Sequence, residues 1–532
     1  MRKVIQASEI CSYIPDGATL FFTGITMGNV PEESIVEIEK SFLETGHPRD
    51  LTLYTASAMG DRNTRGLNHI SYPGLLKRVV AGHLVNCGDN MVRLCREEKA
   101  EVYNFPQGVL STMPRYIAAK KPGVITKVGL KTMMDPRYDG GKMNKTAQED
   151  LVELVNLCGE EWLLYKCPKV DVAIIRGTVA DERGNISIYK EGYQLDQLAL
   201  AQAARASGGV VICQVENIVR AGTIKPKEVK VPGVLVDYVY VSKPEYHWQT
   251  SATFYNPVFS GEISVPLKSI PPERLSVRKV IVRRAAMELC PGDIVNLGVG
   301  TPESISSVAA EEGVGDLFTL TTEAGGIGGI PAVGHDFGCC WNAEATVDMS
   351  AQFDMYDGGC LDYGALGFLQ CDATGVVNAS MRNGDSIGVG GFMNVAGGAK
   401  RIVFTATFTG GIAKQDKPEF DLSSGKLVIT KEGNMKRFVK QVEQFTFNGQ
   451  ETLSRGKQVT FITERCVFRL TTEGLMLTEI APGVDLQHDI LDLMEFTPII
   501  SPNLKEMDAG LFQEKWGGLK AIMDEKQTAM KL

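Results

Sequence analysis

The 532-residue chain lacks an uninterrupted apolar run approaching the ~18 residues that suggest a membrane span, and residues 1–9 contain no apolar core of signal-peptide length. These absences predict a cytoplasmic protein without a membrane partner. Its twelve cysteines contain no CxxC pair, and the closest set is Cys339-Cys340. Such usage suggests reduced thiols packed as small apolar groups, rather than a disulfide framework or zinc site. The histidines, His47, His69, His83, His247, His335 and His488, are too dispersed for a metal cluster, so no metal is predicted. A dense Lys/Arg stripe with interleaved aromatics is also missing, and the net charge is −9. That balance argues against a nucleic-acid partner.

What is present is an ordinary globular composition, 44% hydrophobic and 22% charged, in a chain too long for one core. The pattern alternates strands and helices. Residues 18–23 form a candidate strand, residues 24–30 a Gly-containing loop, and Pro31 stands at a first helical position. Glu32 and Glu33 follow in the first turn, then Ile35, Val36, Ile38 and Phe42 at helical spacing. Residues 50–55 and 75–81 supply further strand candidates, and residues 103–108 end a strand in a turn with Gln107 exposed at its lip. This alternation predicts an α/β fold with largely parallel sheets.

An internal repeat divides the chain. Asp16-Gly17, a strand, a glycine loop and Pro31-Glu32-Glu33-Ser34-Ile35 are echoed by Pro291-Gly292-Asp293, residues 294–297, Gly298-Val299-Gly300 and Pro302-Glu303-Ser304-Ile305. Asp171, Asp181 and Gly184 have the same spacing as Asp362, Asp372 and Gly375, and residues 208–213 are echoed by residues 397–404. Three echoes in one order predict two homologous open α/β domains with a site between them. The expected division is an N-terminal domain at 1–250, a linker at 251–275 and a C-terminal domain at 276–532. Pro257, Pro266, Pro271 and Pro272 mark the linker. Three β segments are expected in residues 459–480, a helix from Pro482 to Met494, an amphipathic segment over 509–523 and fraying at 524–527.

Residues 317–322 are a candidate strand that breaks at Glu323, followed by Gly325, Gly326, Gly328 and Gly329. Glycines leave no side-chain wall between a carboxylate and an approaching ligand, so Glu323 is presented as a nucleophile or base would be. The alternative is a solvated loop glutamate. Residues 386–394 are glycine-dense, which would let consecutive backbone N–H groups face an oxyanion. A dinucleotide reading of Gly298-Val299-Gly300 fails because position 303 is Glu, where the third glycine belongs.

Together, Thr322-Glu323-Ala324-Gly325 with Ile327-Gly328-Gly329-Ile330-Pro331, Asn296-Leu297-Gly298-Val299-Gly300, Tyr356-Asp357-Gly358-Gly359 and Gly388-Val389-Gly390-Gly391-Phe392 resemble the family I coenzyme A transferases. More narrowly, they resemble the single-chain propionate/acetate type. Residues 105–110, 122–129, 135–137 and 462–468 agree, so the resemblance covers nearly the whole chain. It implies ping-pong transfer of CoA from a short-chain acyl-CoA to a free carboxylate, through an acyl-glutamyl anhydride and a glutamyl-CoA thioester. Glu323 matches the catalytic glutamate, which as an ionised nucleophile is expected to avoid purely apolar surroundings. Gly391 matches the oxyanion-stabilising glycine, with Gly390 holding its turn. Gln107 matches a glutamine that touches the carboxylate substrate. Asn296 and Asn378 align with site-lining asparagines, and Gly298, Gly300 and Gly388 belong to the matching glycine loops.

The resemblance also implies CoA as a substrate without a permanently bound cofactor, and a homodimer or homotetramer. Thr322-Glu323-Ala324-Gly325 stands where relatives using longer acids have Ser-Glu-Asn-Gly, which points to short monocarboxylates; Met27 is a candidate for narrowing the acyl pocket. An acyl-CoA hydrolase and a non-catalytic acyl-CoA or organic-acid sensor on the same fold stay open as alternatives.

Overall fold

The computed structural model describes residues 3–266 and 273–531. Pro271 and Pro272, two of the prolines expected to mark the linker, lie outside the described residues. Two sheets organise the rest. The first has seven parallel strands in the spatial order Tyr238–Val241, Val210–Val215, Val172–Arg176, Thr19–Phe22, Leu51–Thr55, Leu76–Ala81 and Glu101–Asn104. Its Val172–Arg176 strand is buried along its whole length, as expected where helices cover both faces.

The second sheet has ten strands. Its parallel centre runs Thr319–Thr321, Ile294–Leu297, Tyr363–Gly367, Arg401–Thr405 and Gln458–Ile462. Antiparallel strands Cys466–Thr471 and Gly474–Ile480 extend one edge, followed by Ile499–Glu506; Gly326–Ile327 and Ala345–Thr346 extend the other.

The sequence echoes occupy equivalent places. Strands Thr19–Phe22 and Ile294–Leu297 sit between the same two neighbours in their respective sheets. Each begins with a backbone N–H donated to the repeated aspartate: Thr19 to Asp171 and Ile294 to Asp362, both at 3.0 Å. The second repeated aspartate caps a turn in both halves. Asp181 accepts from Arg183 and Asn185, while Asp372 accepts from Thr374 and Val376, and the turns close at Gly184 and Gly375. Both glycines have positive φ, which costs glycine little.

A double layer of helices joins the sheets. Gln197–Ala206 lies on the first sheet and packs against Gln107–Ala118; the latter packs against Met349–Asp357, which meets Phe392–Gly398 on the second sheet. Gly108 permits the close approach, since a Cβ there would lie 2.4 Å from Asn394 Nδ2 and 2.8 Å from Phe353 Cγ. Buried Asp196 ties the layer together by accepting from Ser111 Oγ and the Ser350 backbone N–H.

The tail departs from expectation. Residues 482–494 carry only the short helix Leu486–Asp489 and a tight turn at Leu491–Leu493, because the backbone leaves helical geometry at Ile490. Over 509–523, the 3₁₀ turn Ala509–Phe512 is separated from the helix Gly518–Lys531 by Gly517 at φ 70°. Residues 524–527 remain helical instead of fraying. Leu519 and Met523 are buried, and Lys526 Nζ donates to the carbonyls of Met287 and Leu289, fixing that helix.

Candidate active site

Strand Thr319–Thr321 leads into a turn that only glycine allows. Gly325 has φ 104°, and a Cβ there would lie 2.0 Å from the Val347 carbonyl oxygen. Gly325 N–H donates to Thr322 O, while Gly326 N–H reaches the Thr322 hydroxyl. The turn leaves Glu323 lining a cavity of about 340 Å³ with Gln107, Gly298, Gly388, Gly390 and Gly391. Arg62, His83, Phe337, Leu366, Phe368 and Phe392 complete much of its wall.

Glu323 touches Gly391 more closely than any side chain there would allow. A Cβ on Gly391 would fall 2.4 Å from Glu323 Cδ and 2.5 and 2.7 Å from its carboxylate oxygens. Among the described residues, no group donates a hydrogen bond to this carboxylate. Its surface reaches the cavity, but dense protein surrounds it, and desolvation pushes its pKa up to about 7. The expectation of an easily ionised glutamate is therefore corrected: the surroundings favour the neutral acid.

The glycine turn also differs from a row of free donors. Gly388 N–H donates to Ser380 O, Val389 N–H to Asn104 Oδ1 and Gly390 N–H to Gly82 O. Gly391 N–H has no protein acceptor among the described residues. Cross-half contacts hold the turn: Gln107 N–H donates to Gly390 O and Leu84 N–H to Ile387 O, while Asn104 is itself fixed within the first half, its Nδ2 donating to Ala81 O and Gly82 O. Gly388 has φ 89°, and a Cβ there would lie 2.8 Å from His83 Cα, so its place also demands glycine.

Gln107 is not an exposed lip residue. It begins helix Gln107–Ala118 and is 2% exposed, although it reaches the cavity. Gly300 borders an adjoining cavity of about 240 Å³, which shares Arg62, Asn86, Val299 and Phe337 with the first. Asn296 and Asn378 line neither. Asn296 Nδ2 donates to Tyr356 Oη at 3.0 Å and supports the strand before Glu323. Asn378 is 0% exposed; its Oδ1 accepts from Ser380 and Met381 N–H, while Nδ2 donates to Gln370 and Met381, making it a turn brace. Met27 and Ala324 are core residues outside the cavity wall, so neither narrows that wall directly.

Sequence reasoning missed His83, Asn104 and Arg62 as site residues. Asn104 and His83 lie at or just beyond the C-terminal ends of parallel strands, where such sheets present ligands, and that rule could have drawn attention to them. His83 Nδ1 is buried without a partner; burial and the Arg62 charge push its pKa down to about 4, leaving a neutral imidazole at neutral pH.

The fold, the repeated halves and the glutamate-on-glycine cavity define a transferase type that comparison identifies. The coenzyme A transferase family matches residues 4–242. The chain is 49% identical over 529 residues to caffeate CoA-transferase of Acetobacterium woodii, covering 98% of this chain and 100% of the relative. It is 40% identical over 510 residues to acetate CoA-transferase YdiF of Escherichia coli (strain K12), covering 96% and 95% of the two chains. The crystal structure of acyl-CoA transferase (YdiF) apoenzyme from Escherichia coli O157:H7 superposes with TM-score 0.90 at 40% identity, covering 97% of each chain. The chain belongs to the coenzyme A transferase family and is a CoA-transferase. No described helix is long and apolar enough to cross a membrane.

Proposed function

We propose that the enzyme transfers CoA from a short-chain acyl-CoA, such as acetyl-CoA or propionyl-CoA, to a free short-chain carboxylate, with Glu323 as the covalent nucleophile. The observation that carries this reading is the contact of the Glu323 carboxylate with Gly391, whose N–H lacks a protein acceptor among the described residues. Glu323 attacks the thioester carbonyl, and the tetrahedral oxyanion accepts from Gly391 N–H. Collapse breaks the C–S bond, giving an acyl-glutamyl anhydride and CoA thiolate. The thiolate attacks the glutamyl carbonyl, forming a glutamyl-CoA thioester and releasing the first acid as carboxylate. The acceptor acid reverses both steps. Gln107 contributes an amide to the carboxylate site; Gly298, Gly388 and Gly390 shape it. Gly300 borders the approach, while Asn296 and Asn378 act through the backbone they brace.

A relative 39% identical, of TM-score 0.90, is described as a thioester complex with CoA, which supports the covalent route. The division at 1–250, 251–275 and 276–532, a cytoplasmic setting and a homodimer or homotetramer belong to the same proposal, without a permanently bound cofactor. A second reading admits a larger, aromatic acid. It rests on the similarity to caffeate CoA-transferase and the Phe337, Leu366, Phe368 and Phe392 wall.

The test is intact-protein mass spectrometry after brief incubation with acetyl-CoA and no acceptor, in wild type and Glu323→Gln. A gain of CoA minus water in wild type alone, discharged by propionate, is expected. Steady consumption without an adduct would favour hydrolysis; neither adduct nor consumption across acyl chains would defeat the reading. Discharge by caffeate at much lower concentration than by propionate would favour the aromatic acid.

A further inference from the structure

In the second half-reaction the free acid enters as an anion while Glu323 is held as an uncharged thioester. A carboxylate that leaves water for a partly desolvated cavity loses hydration, and a cation on the wall offsets that cost. Among the described residues lining the Glu323 cavity, Arg62 and His83 are the only candidates. His83 is neutral at neutral pH, for the reasons given above. Arg62 therefore supplies the positive charge of the wall.

Its geometry is that of a held receptor. Arg62 N–H donates to the Asn86 carbonyl at 3.2 Å, and Nε donates to Asn86 Oδ1 at 2.5 Å. The same asparagine thus fixes both the backbone and the stem of the guanidinium. The backbone adopts φ 65°, a conformation uncommon for a residue with a side chain. Neighbouring Asp61 is engaged with Arg65 at 2.9 Å. Among the described residues, no carboxylate pairs with Arg62, and no protein group accepts from its two terminal nitrogens. Those nitrogens form a planar fork suited to a carboxylate. Arg62 and Asn86 also border the adjoining cavity, with Val299 and Phe337 opposite, so the fork stands where the two spaces meet.

We propose that Arg62, exposed at the mouth of the Glu323 cavity and braced by Asn86, binds the carboxylate of the free acid within that cavity and thereby selects the anionic acceptor for attack on the enzyme-bound thioester. The inference rests on the covalent route above. In the attack, the acceptor oxygen bonds to the glutamyl carbonyl carbon, the C–S bond breaks, and CoA leaves as thiolate. Arg62 takes no proton and forms no bond to carbon. It holds the carboxylate, and its interaction ends as the acid becomes a neutral anhydride.

The two half-reactions separate this role from others. The glutamyl-CoA adduct is formed from acetyl-CoA and followed by intact mass, then discharged with increasing propionate, in wild type, Arg62→Gln and Arg62→Lys. The final adduct level is expected to be unchanged in all three, though it is reached more slowly in Arg62→Gln because the leaving acetate occupies the same carboxylate position. The propionate concentration for half-maximal discharge should rise roughly ten- to a hundredfold in Arg62→Gln, with partial recovery in Arg62→Lys, as expected for a lost charge-assisted hydrogen bond.

Reduced adduct formation at low acetyl-CoA, with normal discharge, would assign Arg62 to the phosphates of CoA and overturn the proposal. A lower thermal midpoint in Arg62→Gln, with discharge not recovered in Arg62→Lys, would make it structural, while no change in either half-reaction would make it a solvated side chain. Absence of any wild-type adduct would instead defeat the covalent route itself.

Discussion

Burial of Glu323 without a charge partner makes its ionisation costly, and that cost can be measured in two independent ways. Its pKa moves from the ordinary 4.5 to about 7. At about 1.4 kcal/mol per tenfold change, the fold favours the neutral acid by about 3 kcal/mol. Because the folded value lies above the unfolded one, the folded chain retains its proton while the unfolded chain loses it between pH 4.5 and about 7. Stability from this group is therefore present at low pH and falls as pH rises through that window, the reverse of a salt-bridged carboxylate. Glu323→Gln removes the ionisation. It should be more stable than wild type by up to about 3 kcal/mol above pH 7, with the gap closing toward pH 5. The assay is the difference in thermal midpoint between the two proteins across that range.

In parallel, the rate of adduct formation at limiting acyl-pantetheine, a thioester without the phosphates of CoA, should fall about tenfold per pH unit below about 7. A rate flat from pH 8 to 5.5, with no stability gain in the variant at pH 8, would refute the reasoning.

Gly391→Ala places a methyl group within 2.4–2.7 Å of the Glu323 carboxyl atoms, so the carboxylate must shift; adduct formation should drop by about a hundredfold or more while the circular dichroism spectrum is retained. Asn104→Ala removes two donated bonds and the acceptor of Val389 N–H, and should cost about 2–4 kcal/mol in chemical denaturation while also slowing adduct formation. Asn378→Ala breaks a buried turn brace instead: a stability loss of about 1–3 kcal/mol with KM values for both substrates unchanged is expected. Lys526→Met should release the C-terminal helix, read as faster amide exchange over 518–531 with activity retained.

The repeat was legible because its signals are local. An aspartate capping a turn that closes at glycine needs only a few consecutive residues, and the Asp181 and Asp372 turns repeat that chemistry. Strands at the centres of the sheets were legible for a similar reason, their apolar runs being bounded by turn residues. Glu323 stood out because glycines follow it immediately. The supporting polar contacts were less accessible. Asn104 bonds Val389 across 285 positions, and nothing in either neighbourhood marks the pair. Glycine density could be read at 388–391, but the availability of each N–H depended on Ser380, Asn104 and Gly82. At the other end, Lys526 lies in a charged, surface-like stretch, yet the carbonyls of Met287 and Leu289 order its helix.

The same cross-half contacts explain why a glutamate with such an unfavourable electrostatic setting remains useful. The second half supplies Glu323 and Gly391, but the first supplies Gly82, Leu84, Asn104 and Gln107 to hold the turn. Docking of the halves therefore fixes the Gly391 donor and also removes water from around the carboxylate. Its raised pKa follows from that assembly rather than from the local sequence. A less solvated carboxylate has fewer water contacts to surrender when it attacks a carbonyl, and the uncommitted Gly391 N–H offers a fixed dipole to the developing oxyanion. Loosening the joint should consequently lower the Glu323 pKa toward its ordinary range while reducing catalysis. Easier ionisation and weaker turnover would then arise together, because both depend on the same separation of the halves.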